Sequence, residues 1–511
     1  MPRKKVSVVE KGALHVLQSI RRNRFELLAL LSLLIVSVYS RLLLINQGAL
    51  YFFPDEGLFH FLQDGVKNSL QSGSVIPFVE SIFTLVARPG YGLVYGIFAY
   101  LVELTGEKSY VQYGNIIISL LSSFVLFLIL RKVFSPVIGL VSLLFCLSSL
   151  SFVTYLRHAL PYDGSFFFFL LSIYLLLRRT YLLAGILLGL ALTIYPGIYF
   201  SIIPTFLFFF FVTPKQQRKK RLLTYVIGFA SVLLFLEIVS QMFANTSYLK
   251  SALSLSSTVT QGDFMPAVLF YTEYIFANDG VLGIVLGFSG VIIIGVLLLK
   301  KRYSLGKSVL LLFWLIIVNY LFYELMTFIL RKMVLYGRTL RPFYFMNIVL
   351  SCVVLSTFFF ETIKRLQTHS VTMYKTIACI LLVLTVFINF FPRYLAFTRL
   401  EYPDNFMTSA YSSIPLENTS ITSFSSTKEQ EPDIVPISGL QSGSYYFVNT
   451  SLLYPYYGLK EIGCAEKVLI KRPHIQGQHM PYAFEGLNKK MRSYLRSHPP
   501  VYQLIYCGKL E

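Results

Sequence analysis

FELLALLSLLIVSVYSRLLLINQGALYFFPDEGLFH, residues 25–60, begins as an almost unbroken apolar run and closes on two adjacent acids. The run from Phe25 to about residue 46 is long enough to cross a bilayer, which takes about 20 residues. Arg3, Lys4 and Lys5, then Arg21, Arg22 and Arg24, precede it. No small-residue cleavage site ends it, so it reads as an uncleaved first helix with a cytoplasmic N terminus. Asp55 and Glu56 then stand where the chain leaves the membrane on the outer side.

The rest of the chain extends this pattern. Of its 511 residues, 55% are hydrophobic and 14% charged, with a mean hydropathy of +0.63. No soluble domain buries so much apolar surface, so lipid is the solvent. Further runs at 111–130, 137–155, 165–177, 182–195, 197–213, 222–242, 280–299, 308–329, 343–360 and 376–396 bring the count to about eleven spans. The net charge of +20 is large, but no nucleic-acid motif accompanies it. Instead, basic residues at 131–132, 178–179, 215–221, 300–307 and 364–365 fall on every second connector. The positive-inside rule places those connectors in the cytoplasm and the C terminus outside. Residues 91–104 are apolar enough to span, but counting them would turn the later basic connectors outward. They are therefore expected as a partly immersed helix within a first external loop, 47–110. A polar loop is expected at 243–279.

After residue 397 the composition turns to Ser, Pro, Gly and Tyr, with the alternating runs SYYFVN and VYQLIYC and a helical pattern at 484–496. The expected architecture is thus an all-α polytopic membrane protein with a small C-terminal extracytoplasmic α+β domain. Residues 1–24 form a basic cytoplasmic N terminus, 25–397 the transmembrane domain and 398–511 the external domain. Cys464 and Cys507 lie in that last part and are either a disulfide or two unrelated thiols. Asn245, Asn418 and Asn449 open N-x-S/T sequons, which matter only in a host that glycosylates external asparagines.

The chemistry-bearing residues gather on the outer side. Asp55 and Glu56 after Pro54 fit the first turn of a helix, where acids suit the macrodipole. They equally fit a general base, because a carboxylate held near lipid has a raised pKa. Arg88, Arg157 and the external loop holding Arg331, Lys332, Arg338 and Arg341 supply cations on the side where the rule predicts few. Guanidinium forks match phosphate oxygens. Asp163 is the only acid of the second external loop. It can orient an acceptor, ligate a metal or pair with Arg157. His60, His158, Tyr162 and Tyr91 are candidate contacts. No His, Asp or Glu cluster has metal-ligand spacing, and a divalent metal is compatible with the chain without being called for.

A span followed at once by Pro-Asp-Glu resembles the GT-C superfamily of membrane glycosyltransferases. The branch it resembles most is that of dolichyl-phosphate-mannose–protein mannosyltransferases and aminoarabinose (lipid A) transferases. The likeness runs over about residues 25–345: Arg88-Pro89, Gly106 and its polar turn, Arg131…Phe134, Arg157…Asp163, and Arg338-Thr339-Leu340-Arg341-Pro342 recur in order. Arg88-Pro89-Gly90 replaces the usual Lys-Pro-Pro. The resemblance implies an inverting transfer of a sugar from a polyprenyl-phosphate donor to a glycan, lipid or protein acceptor. It makes Asp55 the base with Glu56 its partner and Asp163 an active-site acid. Arg88 and the late basic residues Lys332, Arg338 and Arg341, with Arg157, become donor-phosphate contacts. No eukaryotic retention signal is recognisable, which points to a plasma membrane, in a bacterium the inner membrane, with the site facing outward.

Two other classes use the same composition. A polysaccharide polymerase or ligase carries its key arginines and histidines in one large central external loop, whereas the large early loop here carries acids. A transporter or flippase of lipid-linked sugars calls for inverted repeats and mid-span charge. No repeat is evident, and Glu237 and Glu324 are the residues that would serve it.

Overall fold

The computed structural model describes residues 24–45, 57–85, 88–195, 202–258, 266–300, 306–330, 337–365 and 371–399, together with four strands near the C terminus. The helices are α1 (Arg24–Leu42), α2 (Gly57–Ser72), α3 (Ile76–Thr84), α4 (Pro89–Thr105), α5 (Tyr110–Val133), α6 (Pro136–Ser148), α7 (Leu150–Val153) and α8 (Tyr162–Leu177). They continue with α9 (Tyr181–Ile194), α10 (Ile202–Val212), α11 (Arg218–Ala244), α12 (Tyr248–Thr258), α13 (Ala267–Leu299), α14 (Lys307–Glu324), α15 (Arg341–Arg365) and α16 (Val371–Thr398).

Among the described residues, six helical stretches are long and apolar enough to cross a membrane: Tyr110–Val133, Lys215–Ala244, Val268–Leu299, Lys307–Ile329, Arg341–Phe358 and Ile380–Thr398. A seventh is a bent pair, Pro136–Ser148 with Leu150–Leu156, turned by 71°. The other expected spans fall on α1, α8, α9 and α10, which are shorter or carry charge at their ends. The chain is a multi-pass membrane protein. Many large apolar side chains point out of the bundle, including Leu31, Ile35, Leu234, Phe235, Ile292, Ile380 and Phe387, as lipid contact requires.

Arg131 at the end of α5 forms a 2.7 Å ion pair with Glu26 at the start of α1. Lys132 donates to the Leu177 carbonyl at the end of α8, 2.8 Å away. The expected cytoplasmic ends of three spans thus meet in one layer.

The described residues of the segment expected as the first external loop are mostly helical. Phe59, Leu62 and Val66 of α2 pack with Ile82 and Phe83 of α3 and Tyr91, Tyr95 and Ala99 of α4. Gln63 donates to Glu103 across α2 and α4 at 3.1 Å. Helix α4 has 17 residues, and Leu93, Ile97, Tyr100 and Leu104 leave one stripe of it exposed and apolar.

The expected polar loop 243–279 is corrected. Residues 248–258 and 267–279 are helical, the latter forming the first part of α13 before a break at Gly280. The segment AVLFYTEYIFAND carries buried Phe270, Tyr271, Tyr274 and Ile275 at helical spacing, and its few polar residues hid that period. Gly280 adopts φ 65°, the left-handed region that glycine enters without steric cost. There the side chain of Arg393 lies against the backbone, donating to the Ala277 carbonyl at 3.4 Å. Asn389 donates to the Asp279 carbonyl at 2.7 Å. Helix α16 thereby occupies the break.

Asp279, fully buried, clasps that break to the one in the bent pair. Its carboxylate accepts from Ser149 Oγ at 2.6 Å, the Leu150 amide at 2.8 Å and Ser151 Oγ at 2.9 Å. These donors lie at the start of α7, where a negative charge also meets the helix dipole. Helices α9 and α11 approach closely at Gly185 and Gly228, where an added Cβ would strike the Tyr225 and Leu182 carbonyls respectively, the close packing small residues permit in membranes.

The four strands are β1 (Ile421–Phe424), β2 (Ser444–Asn449), β3 (Ala465–Pro473) and β4 (Val501–Gly508). They form one sheet in the order β1-β2-β4-β3. The β1–β2 pair is parallel and the other two pairs antiparallel. The alternating runs SYYFVN and VYQLIYC coincide with β2 and β4. The expected helix at 484–496 and Cys464 lie outside the described residues.

Replacing Asp279 with Ala strands three donors in a dry interior, each charge-assisted bond contributing about 1.5–3 kcal/mol. Asp279→Ala is expected to lower the midpoint of thermal inactivation in detergent, and Asp279→Asn, which keeps a carbonyl acceptor, to lower it less. An unchanged midpoint in the Ala variant would remove Asp279 from this role.

Candidate active site

The segment His158-Ala159-Leu160-Pro161-Tyr162-Asp163 is buried along its length, and α5 and α4 hold it in place. Asn115 on α5 donates to the carbonyls of His158 at 2.7 Å and Leu156 at 3.3 Å. Its own side-chain oxygen accepts from the Tyr95 hydroxyl at 3.0 Å. Tyr91 donates to the Ala159 carbonyl at 2.8 Å and stacks on Tyr95 at 4.5 Å. Burial pushes the Tyr95 phenol well above its ordinary pKa, and the negative charge of Asp163 adds to the shift. It therefore serves as a hydrogen-bond donor. Buried backbone carbonyls demand partners, and here polar side chains from two helices supply them.

Asp163, in the first turn of α8, forms a buried ion pair with Arg341, the first residue of α15, at 2.8 Å. The same guanidinium nitrogen donates to the Phe152 carbonyl at 3.1 Å, and the group lies 5.7 Å over the Phe152 ring. Phe152 in turn stacks with Tyr344 at 5.9 Å. The break between α6 and α7, which Asp279 secures, is what turns Phe152 towards Arg341. A second set of aromatics reaches Arg88: its guanidinium sits 5.8 Å over the Tyr195 ring, and Tyr195 meets Tyr162 edge to face at 4.4 Å.

The structure thus brings together Asp163 and Arg341 directly, and Arg88, Tyr91, His158 and Tyr162 around the loop that carries Asp163. His60 stands exposed on α2. Among the described residues Asp163 pairs with Arg341, 178 positions away; Arg157, the other partner expected for it, has its side chain outside them. Arg157 closes the short turn before His158 and Arg338 lies in the turn Gly337–Leu340, but both side chains fall outside the described residues. So do Asp55, Glu56 and Lys332. Among the described residues, no three of His, Cys, Asp or Glu are grouped to hold a metal ion.

Two features escaped the sequence reading. Arg41, inside the first apolar run, is 1% exposed and lines a small cavity with Ser119, Ser122, Phe152, Asp163 and Arg341. An arginine within a span is itself a signal of function. Asn115, Ser119 and Ser122 recur at helical spacing on α5 and are buried, a polar stripe that periodicity would have exposed. Glu237 and Glu324, the residues a transporter reading needs, act as helix caps. Glu237 accepts from the Leu249 amide at 2.9 Å and Glu324 from the Val268 amide at 2.8 Å.

Truncating one member of a buried ion pair leaves the other uncompensated, at about 3–5 kcal/mol. Arg341→Gln is expected to lower the thermal midpoint sharply, and adding Asp163→Asn to restore part of it. Strictly additive losses in this double-mutant cycle would mean that the two groups do not act as a pair.

No curated protein matches the chain. Residues 89–243, from the start of α4 almost to the end of α11, match the model of the dolichyl-phosphate-mannose-protein mannosyltransferase family, consistent with a membrane glycosyltransferase of the GT-C superfamily.

Proposed function

We propose that the protein is an inverting glycosyltransferase that moves a sugar from a polyprenyl-phosphate carrier to an acceptor on the extracytoplasmic side of a plasma membrane, in a bacterium the inner membrane. The observation that carries this reading is the family match over residues 89–243, which supports a membrane glycosyltransferase using a lipid-linked sugar donor. The matched segment contains Tyr91, Asn115 and Asp163, the residues from which the buried loop is built.

In the proposed reaction Asp55 takes the proton of an acceptor hydroxyl or amine. The acceptor atom attacks the anomeric carbon from the face opposite the phosphate. A new bond to that carbon forms as the carbon–oxygen bond to phosphate breaks, and the electron pair leaves on the phosphate oxygen. Configuration inverts. Glu56 supports Asp55, and Asp163 orients the groups around the phosphate-binding arginines. Guanidiniums at Arg88, Arg157, Arg338 and Arg341, with Lys332, receive the charge that develops on the leaving group. Stabilising such charge is often what accelerates a reaction most. The orientation rests on the basic connectors, and the external segment after residue 397 is the candidate for handling the acceptor.

The purified protein, given radiolabelled polyprenyl-phosphate sugars and a crude envelope extract, is expected to move label to an acceptor. Asp55→Asn is expected to slow transfer by about 10²–10⁴-fold, the range of general-base catalysis, while donor binding persists. Transfer at the wild-type rate in Asp55→Asn would remove Asp55 as base, and absence of transfer from every polyprenyl donor would overturn the reading itself.

A further inference from the structure

The cavity beside the Asp163–Arg341 pair holds more positive charge than negative. Two guanidiniums line it, Arg41 at 1% and Arg341 at 5% exposure, and among the described residues Asp163 is the only acid that does. Arg41 donates through Nη1 to the carbonyl and hydroxyl of Ser37, both uncharged. Its Nε, and both Nε and Nη1 of Arg341, are buried with no hydrogen-bond partner among the described residues. Arg341 uses only Nη2, shared between Asp163 and the Phe152 carbonyl. Burying guanidinium donors without acceptors is costly, and here several from two side chains border one space.

We propose that Arg41 and Arg341 together form a buried anion site for a phosphate ester, with Asp163 as the counter-ion that the phosphate displaces. A phosphate offers several acceptor oxygens to two forked donors, which a single carboxylate does not. The cavity measures only about 30 Å³, enough for water but not for a phosphate alongside the carboxylate. The anion therefore enters by exchange: it takes Arg341 from Asp163 and leaves that carboxylate free. The alcohol part of the ester is apolar, because a larger cavity adjoins this one. That cavity shares Leu126 and Phe345 with it and is lined almost wholly by apolar side chains, among them Ile129, Phe169 and Leu312.

The inference rests on the lipid-phosphate reading above and adds to it Arg41, which lies outside the family match. Arg41 is a phosphate-binding residue on the first helix, and Asp163 becomes a group whose partner changes with the ligand.

The test uses the full chain in detergent and measures binding of decaprenyl phosphate, decaprenol and inorganic phosphate. Arg41→Gln is expected to weaken decaprenyl phosphate about tenfold or more, the worth of one charge-assisted bond, and to leave decaprenol unchanged. Arg41→Lys should recover part of the loss. Asp163→Asn, which removes the competing carboxylate, should tighten decaprenyl phosphate, a change that misfolding does not mimic. If Arg41→Gln binds decaprenyl phosphate as the wild type does, the two-arginine site is overturned and the lipid-linked donor reading is untouched. Arg41-dependent binding of inorganic phosphate without decaprenyl phosphate would uphold the site and overturn the lipid reading. Should the wild type bind neither phosphate, the site falls. Should Arg41→Gln lose decaprenol as well, Asp163→Asn decides: tightening upholds the site and weakening overturns it.

Discussion

One buried ion pair, Asp163 with Arg341, ties the start of α8 to the last third of the helical bundle. Its worth lies less in net stability than in geometry. Two charges withdrawn from water recover the cost of desolvation only when they meet well and their remaining donors are satisfied. At 2.8 Å the contact is good, yet two of the three nitrogens of Arg341 have no hydrogen-bond partner among the described residues. A well-packed hydrophobic pair of similar volume is often no less stable than such a buried ion pair. Everything around the pair fixes its position. Asn115 and Tyr91 hold the backbone before Asp163, and the Asp279 clasp sets the bend that presents Phe152.

Much of the membrane architecture was legible because it rests on local rules. Basic connectors and apolar runs located the helices, since lipid imposes length and composition on each span separately. The helix expected at 91–104 followed from its apolar run and the placement of the basic connectors, and strands β2 and β4 lie on the alternating runs. The interior partnerships were not legible in the same way. Asp163 meets Arg341, 178 positions on, because the folded bundle brings the start of α8 to the start of α15, and no local pattern announces that pairing. Asp279 ends a segment that reads as polar loop, and only the break at Gly280 gives its carboxylate a purpose. Arg41 was hidden by the apolar run that carries it, because hydropathy averages over one charged residue in twenty.

The family match and the geometry bear on different halves of the problem. The match covers α4 to α11 and with them the loop that carries Asp163. Arg341 enters from beyond it, and Arg41 from before it. The proposed site draws on the first helix, a central loop and a late helix, so it constrains all three segments at once and belongs to no single motif.

The occupied break in α13 has a consequence for how such a bundle is made. A chain that enters the membrane from its N terminus delivers α13 long before Asn389 and Arg393 of α16 have been synthesised. Until they arrive, the carbonyls of Ala277 and Asp279 lack the donors that satisfy them in the finished protein, and lipid offers none. Assembly therefore has a late locking step: the ribosome must finish a helix near residue 398 before a kink more than a hundred residues earlier, and the Asp279 clasp beside it, settles into its final form.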